Sequence, residues 1–188
     1  MCPTQDSSTP FPRLAVNQSA TSMPIDKIYL VGFMGAGKTT LATTLSSRLG
    51  WQTKDIDELV ERREGMTVAD IFSKRGELYF RTVEHTILSE IVSIRHAVVA
   101  TGGGTYADHS NRLIIDRDGV SIWLDVSLKR ATERLSDDGL RPLARDHSRM
   151  ERLFHTRQAA YRHAQIRLDA EHASADELSH QIVDRLNP

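Results

Sequence analysis

Residues 32–39, "GFMGAGKT", carry the strongest chemical signal in the sequence. This spacing of glycines before a lysine and a threonine is typical of a loop whose backbone N–H groups surround nucleotide phosphates. Lys38 would reach the outer phosphates, and the hydroxyl of Thr39 would face Mg²⁺. Gly35 and Gly37 permit backbone angles and a close approach that a side chain would obstruct. The segment therefore predicts a nucleotide site at the positive end of a helix that begins here.

Two aspartates, Asp55 and Asp57, stand two residues apart in "KDIDE". In extended chain, such side chains point to the same side, toward the edge where open α/β sheets bind ligands. One carboxylate would hold Mg²⁺ through water, while the other would take or orient the proton of a substrate hydroxyl. A plainer interpretation makes Asp57 the N-cap of the following helix, but it leaves Asp55 unexplained.

Arg81 and Glu84 are three residues apart in "FRTVE", within a segment with helical spacing of apolar residues. They are therefore neighbours on one helix. As a surface ion pair they would add little stability. Alternatively, Glu84 orients Arg81 so that its planar guanidinium can bind a carboxylate. The sequence leaves both interpretations open.

Three consecutive glycines, Gly102, Gly103 and Gly104, follow the buried-type strand "HAVVAT". A turn needs one or two glycines, so we expect a ligand to approach bare backbone at this strand end. The dinucleotide-binding fingerprint is excluded, because the spacing G-x-G-x-x-G is not present at this point.

Residues 136–147 form a polar stretch that includes Arg141 and Arg145. Polar loops with glycine and proline are often lids, and an arginine on a lid can neutralise charge on a transferring phosphoryl group. The alternative is a solvated connection between helices. Arg134, just before this stretch, is either a surface residue or a nucleotide contact. Arg157 and Tyr161 by themselves indicate no more than a surface pair.

Strand and helix signals alternate from residue 25 onward. We predict strands at 27–33, 51–55, 96–101, 120–126 and 166–171, and helices at 39–49, 57–64, 67–73, 77–93, 110–116, 128–135, 148–164 and after 174. Gly50 should end the first helix, while Thr67 with Asp70, Ser148 with Glu151 and Ser174 with Glu177 should begin three others. Such alternation predicts right-handed βαβ units, and hence an α/β domain with a parallel sheet between helical layers.

Composition limits the function classes. The 188 residues are 39% hydrophobic and 26% charged with a net charge of −1. This suits one globular domain at 25–188, and we expect neither nucleic acid nor a membrane as a partner. The single cysteine fits a reducing cytoplasm. Residues 1–24 are rich in Ser, Thr and Pro without periodicity, so we predict a disordered tail, with Met23 as an alternative start.

In order and spacing, these elements resemble shikimate kinase. The resemblance covers almost all of residues 26–187. It rests on "GFMGAGKTT", "DID", Phe80-Arg81 with Glu84, "GGG", "RPL" and the pair Arg157 and Tyr161. It implies the three-layer α/β/α fold of P-loop nucleoside monophosphate kinases, with a five-stranded parallel sheet of order 2-3-1-4-5 and a small lid. We also expect a monomer.

The resemblance implies transfer of the γ-phosphoryl group of ATP to the 3-hydroxyl of shikimate, on the route to chorismate and the aromatic amino acids. Lys38, Asp57 and Arg141 would be catalytic, with Asp57 the candidate base. Mg²⁺ would be bound by Thr39 and, through water, by Asp55. The residues implied in ATP binding are Gly35, Ala36, Gly37, Lys38, Thr39, Thr40, Arg134 and Arg141, with Arg134 against adenine. Those implied in shikimate binding are Asp57, Arg81, Gly102, Gly103, Gly104 and Arg157, with Glu84 orienting Arg81 and both arginines on the carboxylate.

One departure from the family pattern concerns the loop after the last strand. It often carries Asn-Pro on the adenine side, whereas this chain has Ser174-Ala175. The alternatives are another small-molecule kinase, such as a gluconate or nucleotide kinase, and a non-catalytic nucleotide-binding module. The two arginines, "DID" and the glycine run argue against the first alternative. The presence of Lys38, Asp57 and Arg141 argues against the second.

Overall fold

The structure is a computed structural model that describes residues 25–137 and 147–186. Its strands are β1 (Lys27–Val31), β2 (Gln52–Asp55), β3 (Ala97–Ala100), β4 (Val120–Asp125) and β5 (Ile166–Asp169). Its helices are α1 (Lys38–Leu49), α2 (Ile56–Glu64), α3 (Val68–Ile91), α4 (His109–Asp118), α5 (Leu128–Asp137), α6 (His147–Tyr161) and α7 (Ala175–Leu186). The predicted tail, together with Arg141 and Arg145 of the predicted lid, lies outside the described residues.

The sheet confirms the predicted order. Five strands are arranged as β2-β3-β1-β4-β5, and every neighbouring pair is parallel. Strand β1 is fully buried and pairs with β3 on one side and β4 on the other. The chain segments that leave β1 and β3 therefore start side by side at one edge of the sheet, where ligands bind in open α/β folds.

Helices cover both faces of the sheet, as the alternation of elements predicted. Because crossovers between parallel strands are right-handed, α1 and α4 must lie on opposite faces. Helix α1 packs with α7, while α3 contacts both α2 and α4. No helix within residues 25–137 and 147–186 has the length and apolar character required to cross a membrane.

At the other end of the strands, a buried lysine links β1 to two helices. Lys27 donates hydrogen bonds from Nζ to the carbonyls of Ile91 and Val92, both at 3.0 Å, and to Asp118 at 2.6 Å. Tyr29 also donates to Asp118, at 2.5 Å. Burial, helped by Asp118, raises the pKa of the Tyr29 phenol. The start of β1 is thereby joined to the ends of α3 and α4.

Helix α3 has a break where two separate helices were predicted. Within Val68–Ile91 the backbone departs from helical geometry at Gly76, whose φ of 83° and ψ of 169° divide it into two helical segments, in agreement with the predicted helices at 67–73 and 77–93. The rings of Phe72 and Phe80 pack across this kink with centroids 4.7 Å apart and planes tilted by 37°. Packing between the two segments therefore links them across the kink.

Most of the predicted helix ends are confirmed. Gly50 ends α1 with φ 67°, and the Thr67 hydroxyl accepts from the Asp70 N–H at 3.1 Å. Ser174 and Glu177 bond reciprocally, with the Ser174 N–H donating at 2.7 Å and the Glu177 N–H at 3.2 Å. These contacts satisfy N–H groups that a helix start leaves unpaired.

The bounds of α6 differ from the prediction. The described part of the helix runs from His147, directly after the undescribed residues 138–146, so Ser148 lies within it and the residue before the helix is outside the described residues. It ends at Tyr161 because the Ala164 N–H bonds to the carbonyl three residues earlier, at 3.0 Å. Such tighter bonds close a helix and prevent a further α-helical turn.

The kink gives a test of backbone strain. Gly76 and Gly65 both have open space where a Cβ would stand, but only Gly65, with φ 63° and ψ 23°, adopts the left-handed conformation. We expect Gly76→Ala to lower the free energy of unfolding by about 2–3 kcal/mol, because its angles belong to a region that is essentially restricted to glycine. The control Gly65→Ala should cost only about 1 kcal/mol. Urea unfolding measures both, and equal losses would contradict this account.

Candidate active site

The segment between β1 and α1 is the predicted phosphate-binding loop. Gly35 and Gly37 have φ values of 76° and 93°, which favour glycine over other residues. At Gly35 the loop also lies against the backbone carbonyl of Ala131 in α5, where a Cβ would clash. Helix α1 begins directly after Gly37. Its free N–H groups and its positive end therefore face the space enclosed by the loop.

Lys38 lies across this loop. Its side chain is buried, and Nζ donates to the carbonyls of Gly32 at 3.0 Å and Phe33 at 2.8 Å. These two contacts hold the ammonium group at the mouth of the loop. Ala36 and Thr40 flank the Gly37-Lys38-Thr39 segment, on the loop and in the first turn of α1.

Thr39 and Asp55 are brought together. The Thr39 hydroxyl donates to Asp55 Oδ2 at 2.7 Å. The other oxygen of Asp55 accepts from the backbone N–H of Asp57 at 3.0 Å, so Asp55 is the N-cap of α2. The prediction of extended chain through Asp57 is therefore wrong, as is the alternative that Asp57 is the cap. The cause is local, because a carboxylate at the end of β2 satisfies the first N–H groups of α2.

Asp57 still lies beside the glycine run, although it is placed by a helix. A Cβ on Gly102 would stand 2.7 Å from Asp57 Oδ1 and 2.9 Å from Glu84 Oε1. Helix α2 thus carries the Asp57 carboxylate to the end of β3. The structure thus brings Asp57 to the glycine run, while its role in binding the acceptor stays a prediction.

Glu84 is a fully buried carboxylate with two partners. Oε2 accepts from Arg81 Nη1 at 2.8 Å, and Oε1 accepts from the Thr105 hydroxyl at 2.7 Å. With 0% of its side chain exposed, the surface-pair interpretation is wrong and the orienting one stands. Arg81 also contacts Glu77 at 3.2 Å. Burial opposes the charge of Arg81, but Glu84 and Glu77 outweigh it and raise its pKa.

Arg157 approaches the same place from α6. Its guanidinium lies 5.9 Å from the centre of the Phe33 ring, and a Cβ on Gly103 would stand 3.0 Å from its Nη1. Burial lowers the pKa of Arg157, and the like charge of Arg81 adds to this effect. Tyr161 fixes the neighbouring backbone, because its hydroxyl donates to the Gly103 carbonyl. Two partly buried cations side by side are an arrangement that an anion stabilises.

The glycine run has a physical reason within the protein itself, and the close approach of a ligand stays a prediction. A Cβ on Gly104 would stand 2.5 Å from Arg81 Nη2, and those on Gly102 and Gly103 would crowd Asp57 and Arg157 respectively. The close approach to bare backbone is thus made by the protein's own side chains. The glycines let three charged groups converge on one strand end.

Arg134 connects two loops. Its Nη1 donates to the Ala36 carbonyl at 3.1 Å, and its Nη2 donates to the Ala170 carbonyl at 3.3 Å. Burial and the nearby Arg130 lower its pKa. Arg134 therefore joins the phosphate loop to the segment after β5, and its contact with adenine stays a prediction. Arg141 lies outside the described residues.

Sequence reasoning missed Thr105 and Glu77. Thr105 is fully buried and directly follows the glycine run, but a single hydroxyl gave no pattern. Glu77 lies four residues before Arg81 on a predicted helix, which is the spacing of an ion pair. That spacing was available in the sequence and could have identified it.

The donor set at Thr39 and Asp55 fits Mg²⁺. Both supply hard oxygen atoms, and Mg²⁺ usually takes one or two protein ligands together with phosphate oxygens and water. Within the described ranges, no group of three or more His, Cys, Asp or Glu side chains converges as a metal site. A hydroxyl and one carboxylate beside a phosphate loop are enough for an ion that is shared with a nucleotide.

Comparisons with known proteins agree with this geometry. A family model described as shikimate kinase matches residues 34–187. Shikimate kinase from Sulfurihydrogenibium sp. (strain YO3AOP1) is 39% identical over 160 residues, which cover 85% of this chain and 96% of the relative. The structure of shikimate kinase from Acinetobacter baumannii in complex with shikimate has a TM-score of 0.81 at 34% identity and covers 86% of this chain and 93% of that chain.

A more distant likeness extends the fold alone. Deoxyadenosine kinase from M. mycoides with bound dATP has a TM-score of 0.59 at 18% identity, and the match covers 86% of this chain and 100% of that chain. The three-layer scaffold is therefore shared with nucleoside kinases.

Buried Thr105 offers a test of how Glu84 is held. Thr105→Val keeps the shape of the side chain but removes the hydrogen bond to a fully buried carboxylate. We expect a loss of about 1–3 kcal/mol in the free energy of unfolding, since a buried charged group then lacks a donor. Exposed Thr86, which donates only to the Thr82 carbonyl, provides the control Thr86→Val. Its unfolding midpoint should hardly change, and an equally small effect at Thr105 would contradict the role of its hydroxyl.

Proposed function

This chain belongs to the shikimate kinase family, and we propose that the site described above transfers the γ-phosphoryl group of ATP to the 3-hydroxyl group of shikimate. The chain is an ATP-dependent kinase that acts on shikimate. The proposal concerns which residues bind the two substrates and what each of them does. The observation that carries it is the convergence of Arg81, Arg157 and Asp57 on the glycine run, beside the phosphate loop.

Arg81 and Arg157 are the proposed binding groups for the carboxylate of shikimate. A guanidinium offers a planar pair of N–H donors that matches a carboxylate. Glu84 and Glu77 each accept from one terminal nitrogen of Arg81, and the like charge of Arg157 makes an anion between the two arginines favourable. The carboxylate would therefore bind at the end of β3, where the glycines leave room for both cations.

The phosphate loop, Lys38 and α1 are proposed to hold ATP. Loop N–H groups and the positive helix end favour the phosphates, and Lys38 is already placed at the loop mouth by two carbonyls. Thr39 and Asp55 would hold Mg²⁺, which supplies neutralisation of charge on the phosphate oxygens when bound. Arg134 would keep the loop in place beside the nucleotide through its bonds to Ala36 and Ala170.

Asp57 is proposed to accept the proton of the attacking hydroxyl, or to orient that hydroxyl. It lies next to Gly102 at the end of β3, the strand that pairs with β1. Phosphoryl transfer requires little covalent chemistry from the protein, so positioning and charge stabilisation supply most of the rate. A rigid Asp57 on α2 satisfies this requirement.

The alternative functions predict different chemistry at the same place. A nucleotide kinase needs a pocket for a flat base, whereas this acceptor region is built from two guanidinium groups. A gluconate-type kinase shares a carboxylate-bearing acceptor, so a comparison of acceptors distinguishes it. We also propose that the enzyme is a cytoplasmic monomer, for which the single cysteine of the chain is the support on localisation.

Substitution of Asp57 separates its role from nucleotide binding. We expect Asp57→Asn to lower kcat by at least about 10²-fold, because a general base or a fixed acceptor is lost. The affinity for ATP should stay within about twofold, since the partner of Asp57 is the acceptor. Steady-state kinetics with a coupled ADP assay and calorimetric titration of ATP measure the two effects. Weaker ATP binding with unchanged kcat would place the acceptor elsewhere.

Removal of one arginine should weaken acceptor binding selectively. A charge-assisted hydrogen bond contributes roughly 1.5–3 kcal/mol, so Arg81→Ala or Arg157→Ala should weaken shikimate binding about 10- to 100-fold. ATP affinity should hardly change. Exposed Arg152 on the same helix as Arg157 provides the control Arg152→Ala, which should leave both affinities unaltered. Calorimetric titration of each substrate gives these values.

The methyl ester of shikimate completes this test. The ester should be a poor acceptor for the unaltered enzyme and should lose little more with Arg81→Ala, because its carboxylate is already absent. The measurement is kcat/KM for acid and ester with each enzyme. Phosphorylation of the ester as efficiently as the acid would show that the arginines do not bind the carboxylate. Gluconate and nucleoside monophosphates in the same assay test the alternative kinases.

A further inference from the structure

Three side chains form a hydrogen-bonded cluster around the kink in α3. Glu64 Oε2 accepts from Arg75 Nη1 at 2.5 Å and from the Tyr79 hydroxyl at 2.9 Å. Arg75 Nη1 also lies 2.5 Å from the Tyr79 hydroxyl, and its guanidinium stands 4.8 Å from the centre of the Tyr79 ring. The side chain of Glu64 is only 9% exposed. We call Glu64, Arg75 and Tyr79 the kink cluster.

The cluster spans the one non-helical residue of α3. Arg75 precedes Gly76 and Tyr79 follows it, while Glu64 belongs to α2. Gly76 itself does not define the angle between the two halves, because glycine is permissive and nothing lies within 4 Å of its Cβ position. The angle is therefore set by contacts to the two halves, and those next to the kink are the kink cluster and the packed rings of Phe72 and Phe80. Farther from the kink, Arg63 of α2 also pairs with Glu90 of the second half, at 2.5 Å.

The second half of α3 carries Arg81, and α2 carries Asp57 in its first turn. Glu64 is the last residue of α2. The kink cluster thus joins the helix that holds the hydroxyl-binding carboxylate to the helix segment that holds the carboxylate-binding guanidinium. The distance between these two groups is what an acceptor with a carboxylate and a hydroxyl must match.

A small rotation at Gly76 would displace Arg81 by a distance that affects binding. Arg81 stands five residues after Gly76, which is about 7.5 Å along a helix that rises about 1.5 Å per residue. A rotation of about 10° at the kink would displace the backbone of Arg81 by about 1.3 Å. A misplacement of about 1 Å can cost an enzyme about 10²-fold in rate.

We propose that Glu64 and Tyr79 are positioning residues for acceptor recognition, which set the separation of Arg81 from Asp57 without contacting the substrate. This inference rests on the proposed function, because it takes Arg81 and Asp57 as acceptor contacts. It assigns a role in acceptor recognition to a cluster that lies on α2 and α3, outside the phosphate loop and the glycine run. Neither residue belongs to the motifs that carry the family resemblance.

The test uses Tyr79→Phe, which removes one hydroxyl, and Glu64→Gln, which removes the charge. We expect each to weaken shikimate binding about three- to tenfold, within the effect expected for a small displacement of a binding group. ATP affinity should stay within about twofold of the unaltered enzyme, because the phosphate loop lies on other elements. Calorimetric titration of both substrates and steady-state KM values measure this. Glu58→Gln is the control, because Glu58 lies on the same helix in an exposed pair with Arg62, at 2.9 Å.

The double variant distinguishes positioning from general destabilisation. If the two residues act through one cluster, combining both substitutions should weaken shikimate binding no more than Glu64→Gln alone, within about twofold. A lower melting temperature with unchanged shikimate affinity would overturn the inference, as would an equal loss for ATP and shikimate. An unaltered enzyme that fails to phosphorylate shikimate would instead refute the proposed function, and the inference with it.

Discussion

A carboxylate that is fully removed from water must be paired, and in this chain that requirement acts at Glu84. Arg81 and Thr105 supply the partners, one from the same helix and one from the segment after β3. Arg81 donates from Nη1 to Glu84 and from Nη2 to Glu77, so two carboxylates on its own helix fix the direction of its guanidinium group. The glycine run follows from the same constraint, since a side chain at Gly102 or Gly104 would occupy the space that the buried pair needs. The acceptor side of the site is thus organised around one buried charge.

The parallel sheet brings this acceptor side to the phosphate loop. Strands β1 and β3 are neighbours, so the loop after β1 and the glycine run after β3 begin next to each other although about seventy residues separate them in sequence. The charged side chains that converge on the glycine run come from helices: Asp57 from α2, Arg81 from α3 and Arg157 from α6. Strands therefore define where the site lies, and helices define which charges enter it. Because the strands form the scaffold and the helices carry the charged side chains, nucleoside kinases share this scaffold with little sequence identity.

Sequence patterns predicted the sheet order, the loop and the pairing of Arg81 with Glu84, because each depends on local spacing or on a family resemblance. They failed at Asp55 and Asp57, which were placed in extended chain, because the local cap on α2 begins the helix between them. For the glycines they gave only a ligand as the reason, and the structure adds that the side chains of Asp57, Arg81 and Arg157 occupy the space that Cβ atoms would need. The contacts that link the two segments of α3 across Gly76 are tertiary, and no periodicity encodes the packing of Phe72 on Phe80 or the bonds of Glu64.

Asp55 limits how far this sequence can diverge. One of its oxygens accepts from an N–H group at the start of α2, while the other accepts from Thr39 beside the phosphate loop. Asparagine would keep the helix start but would lose the negative charge, and glutamate would keep the charge but is a poor cap. Each single replacement therefore loses one of the two contributions of Asp55. A tolerated substitution would have to preserve both the start of α2 and the contact with Thr39, so this position should accept less variation than its half-exposed location at the end of β2 suggests.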